Sequence, residues 1–159
     1  DELSVSDALC IRAKALAIRM SQGDMDAYRI TQSADREGKN ALLSQIGKEL
    51  TNIKDDKAMP VLIKCLELEN NDLRRGAILG LNALLNEETQ GTLQTVFYKA
   101  LDDRDRQVQY HAMTALATIE YDSDSKGTRT RVPGLEKFLR NPDRYVEEWK
   151  RKAGAVGHR

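Results

Sequence analysis

Apolar residues recur along this chain at spacings of three and four, the period that gathers them into one buried stripe on a helix. The stretch DLRRGAILGLNALL, Asp72 to Leu85, carries such a stripe, and DRQVQYHAMTALATI, Asp105 to Ile119, carries it again. Leu73 falls on Val108, Ala77 on Ala112, Ile78 on Met113, Leu81 on Leu116 and Leu84 on Ile119, each pair 35 residues apart. Small residues at Ala77, Gly80, Ala112 and Ala115 let a neighbouring helix approach closely. Asn70 and Asp105 stand where a side chain caps the free N–H groups of the following helix. A preceding helix repeats with the same spacing: Leu62, Cys65 and Leu66 match Phe97, Ala100 and Leu101. Pro60 is harmless if it falls in the first turn of its helix and bends the helix if it falls later. A fixed period of this length marks an array of stacked helix pairs.

The flanks repeat the pattern less faithfully. Leu43, Ile46 and Leu50 form an earlier stripe, preceded by a short helix near Met25 to Gln32. SVSDALCIRAKALAIRM reads as one further helix, capped by Ser4 or Ser6, with Leu9, Ala13, Leu16 and Met20 inward, closing the stack at its N-terminal end. A later unit is displaced by three residues. Pro133, Leu135, Phe138 and Leu139 follow the Thr95, Phe97, Ala100, Leu101 set at a spacing of 38, and Asp143 and Val146 follow Asp105 and Val108. Lys150 stands where Ala112 stood, and a polar residue at a packing position marks the end of a stack. The expected organisation is one all-α domain over 1–159: a capping helix over 1–22, a partial repeat over 24–53, repeats over 55–86 and 92–120, a polar loop over 121–132, a partial repeat over 133–152 and a fraying tail over 153–159.

AMPVLIKCLELENNDLRRGAILGLNALL and TVFYKALDDRDRQVQYHAMTALATI together resemble the HEAT-repeat family. The likeness rests on the early Pro60, the Asp/Asn turn, and Leu73-Arg74 ahead of Ala77 and Gly80-Leu81. Gln109 departs from the basic residue that Arg74 and Lys39 supply, and Lys150 departs from the small-residue rule. The resemblance implies a right-handed α-α superhelix of antiparallel helix pairs, with second helices lining a concave side where a protein or peptide binds. Register then lists the concave positions: Lys39, Arg74, Gln109 and Glu147 in one ladder, Asn40, Arg75, Tyr110 and Glu148 in the next, and Ser44, Leu79 and Thr114 in a third, with Gly47 and Asn82 nearby. His111 and Trp149 share a register. Partner-binding candidates are therefore Lys39, Asn40, Arg74, Arg75, Asn82, Tyr110, His111, Thr114 and Trp149, since Arg, Tyr and Trp most often anchor interfaces. Against this, Arg74 has a structural role in the family, and Trp149 suits a cover over the last core layer.

Composition narrows the classes. Lys plus Arg and Asp plus Glu are 25 each, so the net charge is zero, which argues against a general nucleic-acid or anionic-membrane binder. The charge is uneven: from Lys126 onward 10 basic residues face 4 acidic ones. No apolar run approaches the roughly 20 residues of a membrane span. Cys10 and Cys65 lack metal-site spacing and read as small hydrophobes, with a disulfide open in an oxidising compartment. Of the two histidines, His111 has no ligand-spaced partner and His158 lies in the tail, so no metal is expected. Asp122-Ser-Asp124-Ser-Lys126-Gly127 is a poor calcium loop, with Lys126 at a ligand position and Pro133 where the closing Glu belongs. No nucleophile elbow or phosphate loop occurs.

The expectation is a non-enzymatic, cofactor-free binding module for a protein or peptide. Two enzyme families with similar repeats stand as alternatives. HEAT-like DNA glycosylases carry a more cationic groove than this chain offers, and phycobilin lyases carry a tetrapyrrole pocket with no recognisable counterpart here. A fragment of a larger scaffold, self-associating through its end faces, is the third reading. Asp1 in place of Met fits a removed leader or a trimmed chain, so cytoplasmic and exported locations both stay open.

Overall fold

A computed structural model of the protein describes residues 4–123 and 132–155. Among the described residues the chain is all-helical, without strands. It divides into two compact units, Asp1–Leu84 and Leu85–Arg159.

The first unit holds α1 (Val5–Ser21), α2 (Met25–Arg36), α3 (Asn40–Leu50), a 3-10 turn (Asp56–Ala58), α4 (Met59–Cys65) and α5 (Asn71–Ala83). The local signals that start these helices are chemical. Ser4 Oγ accepts the amide of Asp7, Asp24 accepts those of Asp26 and Ala27, and Asn70 accepts that of Leu73. Pro60 is the second residue of α4, inside the first turn, where its missing N–H costs little. Gly23 and Gly38 close the α1–α2 and α2–α3 turns at φ of 80° and 72°, conformations that a side chain disfavours.

Packing joins alternate helices. α3 packs against both α1 and α5, and α2 and α4 lie against that row. Contacts between α3 and α5 advance in the same direction along both helices: Asn40 to Asn70, Ser44 to Asp72, Gly47 to Gly76, Leu50 to Gly80. The two helices are therefore parallel. Their seam is closed by glycine. A Cβ on Gly76 would collide with the backbone carbonyl of Gly47, and one on Gly47 with the carbonyl of Asp72. Gly47, placed by register near the outer surface, instead lies at the closest backbone approach. α1 joins the same row through α3, with Ala13, Leu16, Ala17 and Met20 buried. Asp35, at the end of α2, accepts the amides of Glu69 (2.8 Å) and Asn70 (3.0 Å), tying α2 to the turn before α5.

The second unit holds α6 (Gln90–Ala100), α7 (Arg106–Ser123), α8 (Leu135–Arg140) and α9 (Pro142–Ala155). Asp105 accepts the amides of Gln107 and Val108, as a capping residue should. Its core gathers Phe97, Val108, Ala112, Leu116, Phe138 and Trp149. Leu139, matched by register to the buried Leu101, is exposed. α8 has six residues and a single residue, Asn141, separates it from α9, so the displaced unit is too short to repeat the earlier pattern. α7 runs through Ser123, into the stretch read as a polar loop; residues 124–131 of that loop, with most of the calcium-like segment, and 156–159 of the tail lie outside the described residues. Lys150 bonds Asp102 at 2.5 Å, so this departure from the small-residue rule ties α9 to the end of α6. That hydrogen bond raises the Lys150 pKa above its ordinary value. Cys65 is buried and Cys10 exposed, both as free thiols, and burial pushes the Cys65 thiol up to about 12.

Candidate functional site

The nine candidate residues divide sharply by environment. In the first unit, Lys39 and Asn40 sit exposed at the start of α3. Lys39 occupies the N-cap position without a side-chain capping bond and pairs instead with Glu37 at 2.8 Å. That contact is the largest influence holding the Glu37 carboxyl below its ordinary pKa; the nearby charge of Arg12 adds to it. Asn40 accepts a hydrogen bond from the Asn70 amide. Arg75 and Asn82 are half-buried on α5, on one face with Leu79. Arg75 pairs with Asp72 at 3.3 Å, and Asp72 also accepts the Ser44 hydroxyl.

Arg74 corrects the ladder that placed it in a groove. It is 2% exposed. Its guanidinium donates to the carbonyls of Leu68 and Glu69 and to the Asn71 side chain. These are carbonyls just past the end of α4, which no helical N–H reaches. Gln109, in the same register, does the equivalent work by donating to the Leu101 carbonyl after α6. A position read as an exposed ladder is, in both copies, an internal clamp on the preceding helix. It leaves Arg74 no surface to offer a partner.

In the second unit the candidates serve packing. The Tyr110 hydroxyl donates to the Pro133 carbonyl at 2.9 Å, and its ring lies 5.3 Å from that of Phe138. His111 meets the Tyr110 ring edge-on at 5.8 Å. Thr114 returns its hydroxyl to the Tyr110 carbonyl within α7. Trp149 is 3% exposed, with the Lys152 ammonium 4.2 Å from its ring centroid, and Lys152 in turn pairs with Glu120. Trp149 thus covers core and is not a surface anchor.

The geometry adds residues that the register omitted. A cavity of about 680 Å³ opens between the start of α1 and the α2–α3 turn. Val5, Ala8, Leu9 and Leu42 supply its apolar wall. Arg12 and Lys39 supply its charge. The signal was present in the chain: α1 carries a second apolar row, Ala8, Ile11, Ala15 and Ile18, opposite the one assigned to the core. Among the described residues no group of three or more His, Cys, Asp or Glu side chains is placed to hold a metal ion, and no helix is long and apolar enough to cross a membrane. Compared with family models, with curated proteins and with solved structures, the chain matches none.

Proposed function

We propose that the protein is a helical-repeat interaction module of the HEAT type that binds a protein or peptide along the outward face of its second helices. The parallel glycine-seamed pair α3 and α5 supports this reading most directly. Two backbones in contact form a stiff platform, and a stiff platform limits the ordering cost of binding. On it, Arg75, Leu79 and Asn82 recur at i, i+4 and i+7 of α5, beside Ala41, Ser44 and Lys48 of α3. An arginine, a half-buried leucine and amide groups supply a charged fork, an apolar anchor and adaptable hydrogen bonds. The superhelical path implied by the 35-residue repeat belongs to this proposal.

Affinity capture from the native source, followed by mass spectrometry and titration of the purified partner, tests it. Arg75→Glu with Leu79→Ala should lose the partner by about a hundredfold, the effect of removing a strong anchor, while the far-UV signal stays helical. Undiminished binding by that folded variant refutes the assignment. Co-purification of a coloured or nucleic-acid species in place of a protein moves the reading to the enzyme families.

A further inference from the structure

A second surface, on α1, stands independently of the α3–α5 face. The inner row of α1 is buried, yet its outer face is apolar too. Ile11 is 56% exposed and Ile18 52%. Ala8 and Ala15 are exposed between them. A helix apolar on both sides ordinarily has something on both sides.

The spacing of the outer row says what shape fits. Ala8, Ile11, Ala15 and Ile18 follow the alternation of three and four that forms a heptad seam, the footprint of a partner helix. Alanine at alternate positions permits close approach. The charge around the seam says what chemistry fits. Arg12 flanks it on one side and Lys14 on the other, both exposed. At its N-terminal end the seam runs into the cavity beside α3, where Arg12 and Lys39 converge on an apolar wall. Glu37 pairs with Lys39, and Asp7 lies on the Lys14 side of the seam, so Arg12, Lys14 and Lys39 outweigh the two carboxylates by a single positive charge. Antiparallel pairing of this seam with a second copy of the chain is disfavoured, because it sets Arg12 against Arg12 and Lys14 against Lys14.

We infer that the outer face of α1 and its adjoining cavity dock an acidic amphipathic helix. Its apolar side chains lie on Ile11 and Ile18, and its carboxylates face Arg12 and Lys39.

Two synthetic helices of about 21 residues, long enough to hold helical structure alone, test this on the full chain by fluorescence anisotropy. Both carry Ala and Leu along the seam; one carries Glu on its flanks and the other Lys. The Glu helix should bind at least about tenfold more tightly than the Lys helix. Ile11→Asn with Ile18→Asn should cost at least about tenfold, with the helical signal retained because both residues are exposed. Arg12→Glu with Lys39→Glu should reverse the preference. Equal binding of the two helices, binding by neither, or an unaffected double isoleucine variant overturns the inference. So does a wild-type dimer in light scattering that Ile11→Asn with Ile18→Asn dissolves, which would make a second copy the occupant. Capture by phosphatidylserine vesicles without binding of the Glu helix would make it a membrane. The α3–α5 surface is read separately through Arg75→Glu, so either surface can fail while the other stands.

Discussion

The two units meet the same packing problem with different material. In the first, Gly47, Gly76 and Gly80 bring backbones together, and the seam is as thin as polypeptide allows. In the second, α7 presents Ala112 and Leu116 to a core that also holds Phe138 and Trp149, with the Tyr110 and Phe138 rings in contact. Glycine gives closeness at the cost of backbone freedom in the unfolded chain. Aromatics give area and tolerate a wider gap. One repeat pattern thus encodes which residues face inward without encoding how far apart the helices stand.

The sharpest way to break this comparison is to place a charge in the aromatic-containing core of the second unit. Ala112→Asp puts a carboxylate at a fully buried position and should cost on the order of 4 kcal/mol, read as a loss of most of the urea midpoint. Next comes the glycine seam. Gly76→Ala adds a methyl group where the Gly47 backbone already stands, so the helices must separate; a loss of about 3 kcal/mol is expected. Gly91→Ala, where the added Cβ meets nothing, should be neutral or slightly stabilising. Equal midpoints for Gly76→Ala and wild type would mean that the seam is not close-packed.

The clamp positions give a subtler contrast. Arg74→Ala leaves the Leu68 and Glu69 carbonyls without that donor and should cost about 2 kcal/mol. Arg74→Gln should recover part of that loss, because Gln109 already does the same work in the second unit. If Arg74→Gln is no better than Arg74→Ala, the two positions are not equivalent.

The smallest effect separates the units by pH. The hydrogen bond from Arg19 holds the Asp24 carboxyl below its ordinary value. A group with a lowered folded pKa stabilises above the ordinary carboxylate range and loses that contribution as pH falls through its folded value. Asp24→Asn should therefore flatten the acid limb of the stability curve. Lys150 has the opposite sign: its raised pKa stabilises below the ordinary lysine value and is lost as pH climbs through the folded one. Lys150→Met should flatten the alkaline limb and leave the acid limb alone.

Much of this was legible in the chain. The inward stripes, the caps at Ser4, Asn70 and Asp105, and the first-turn Pro60 follow from period and local chemistry. The helix near Met25 runs one turn further than its apolar residues suggested, to Arg36, and stops where Gly38 takes a positive φ and the Gly38 and Lys39 amides close on the Asp35 and Ala34 carbonyls. Arg74 and Gln109 share a register with the exposed Lys39 and Glu147, and a side chain that turns back to the preceding helix end leaves no mark on that register; only the family resemblance implies the structural role of Arg74. Register also left Gly47 on the surface, since a small residue looks alike whether it yields room to a partner or to a neighbouring backbone. The outer row of α1 is present in the sequence, but one stripe suffices to define a helix, and a second does not alter that assignment.

Asp35 carries one more consequence. Its two amide donors lie 34 and 35 residues further along the chain. A polypeptide emerging from the ribosome therefore presents this carboxylate well before the groups that complete it have been synthesised. The latch between α2 and the turn before α5 closes from the C-terminal side, and translation itself sets the earliest moment at which it can form.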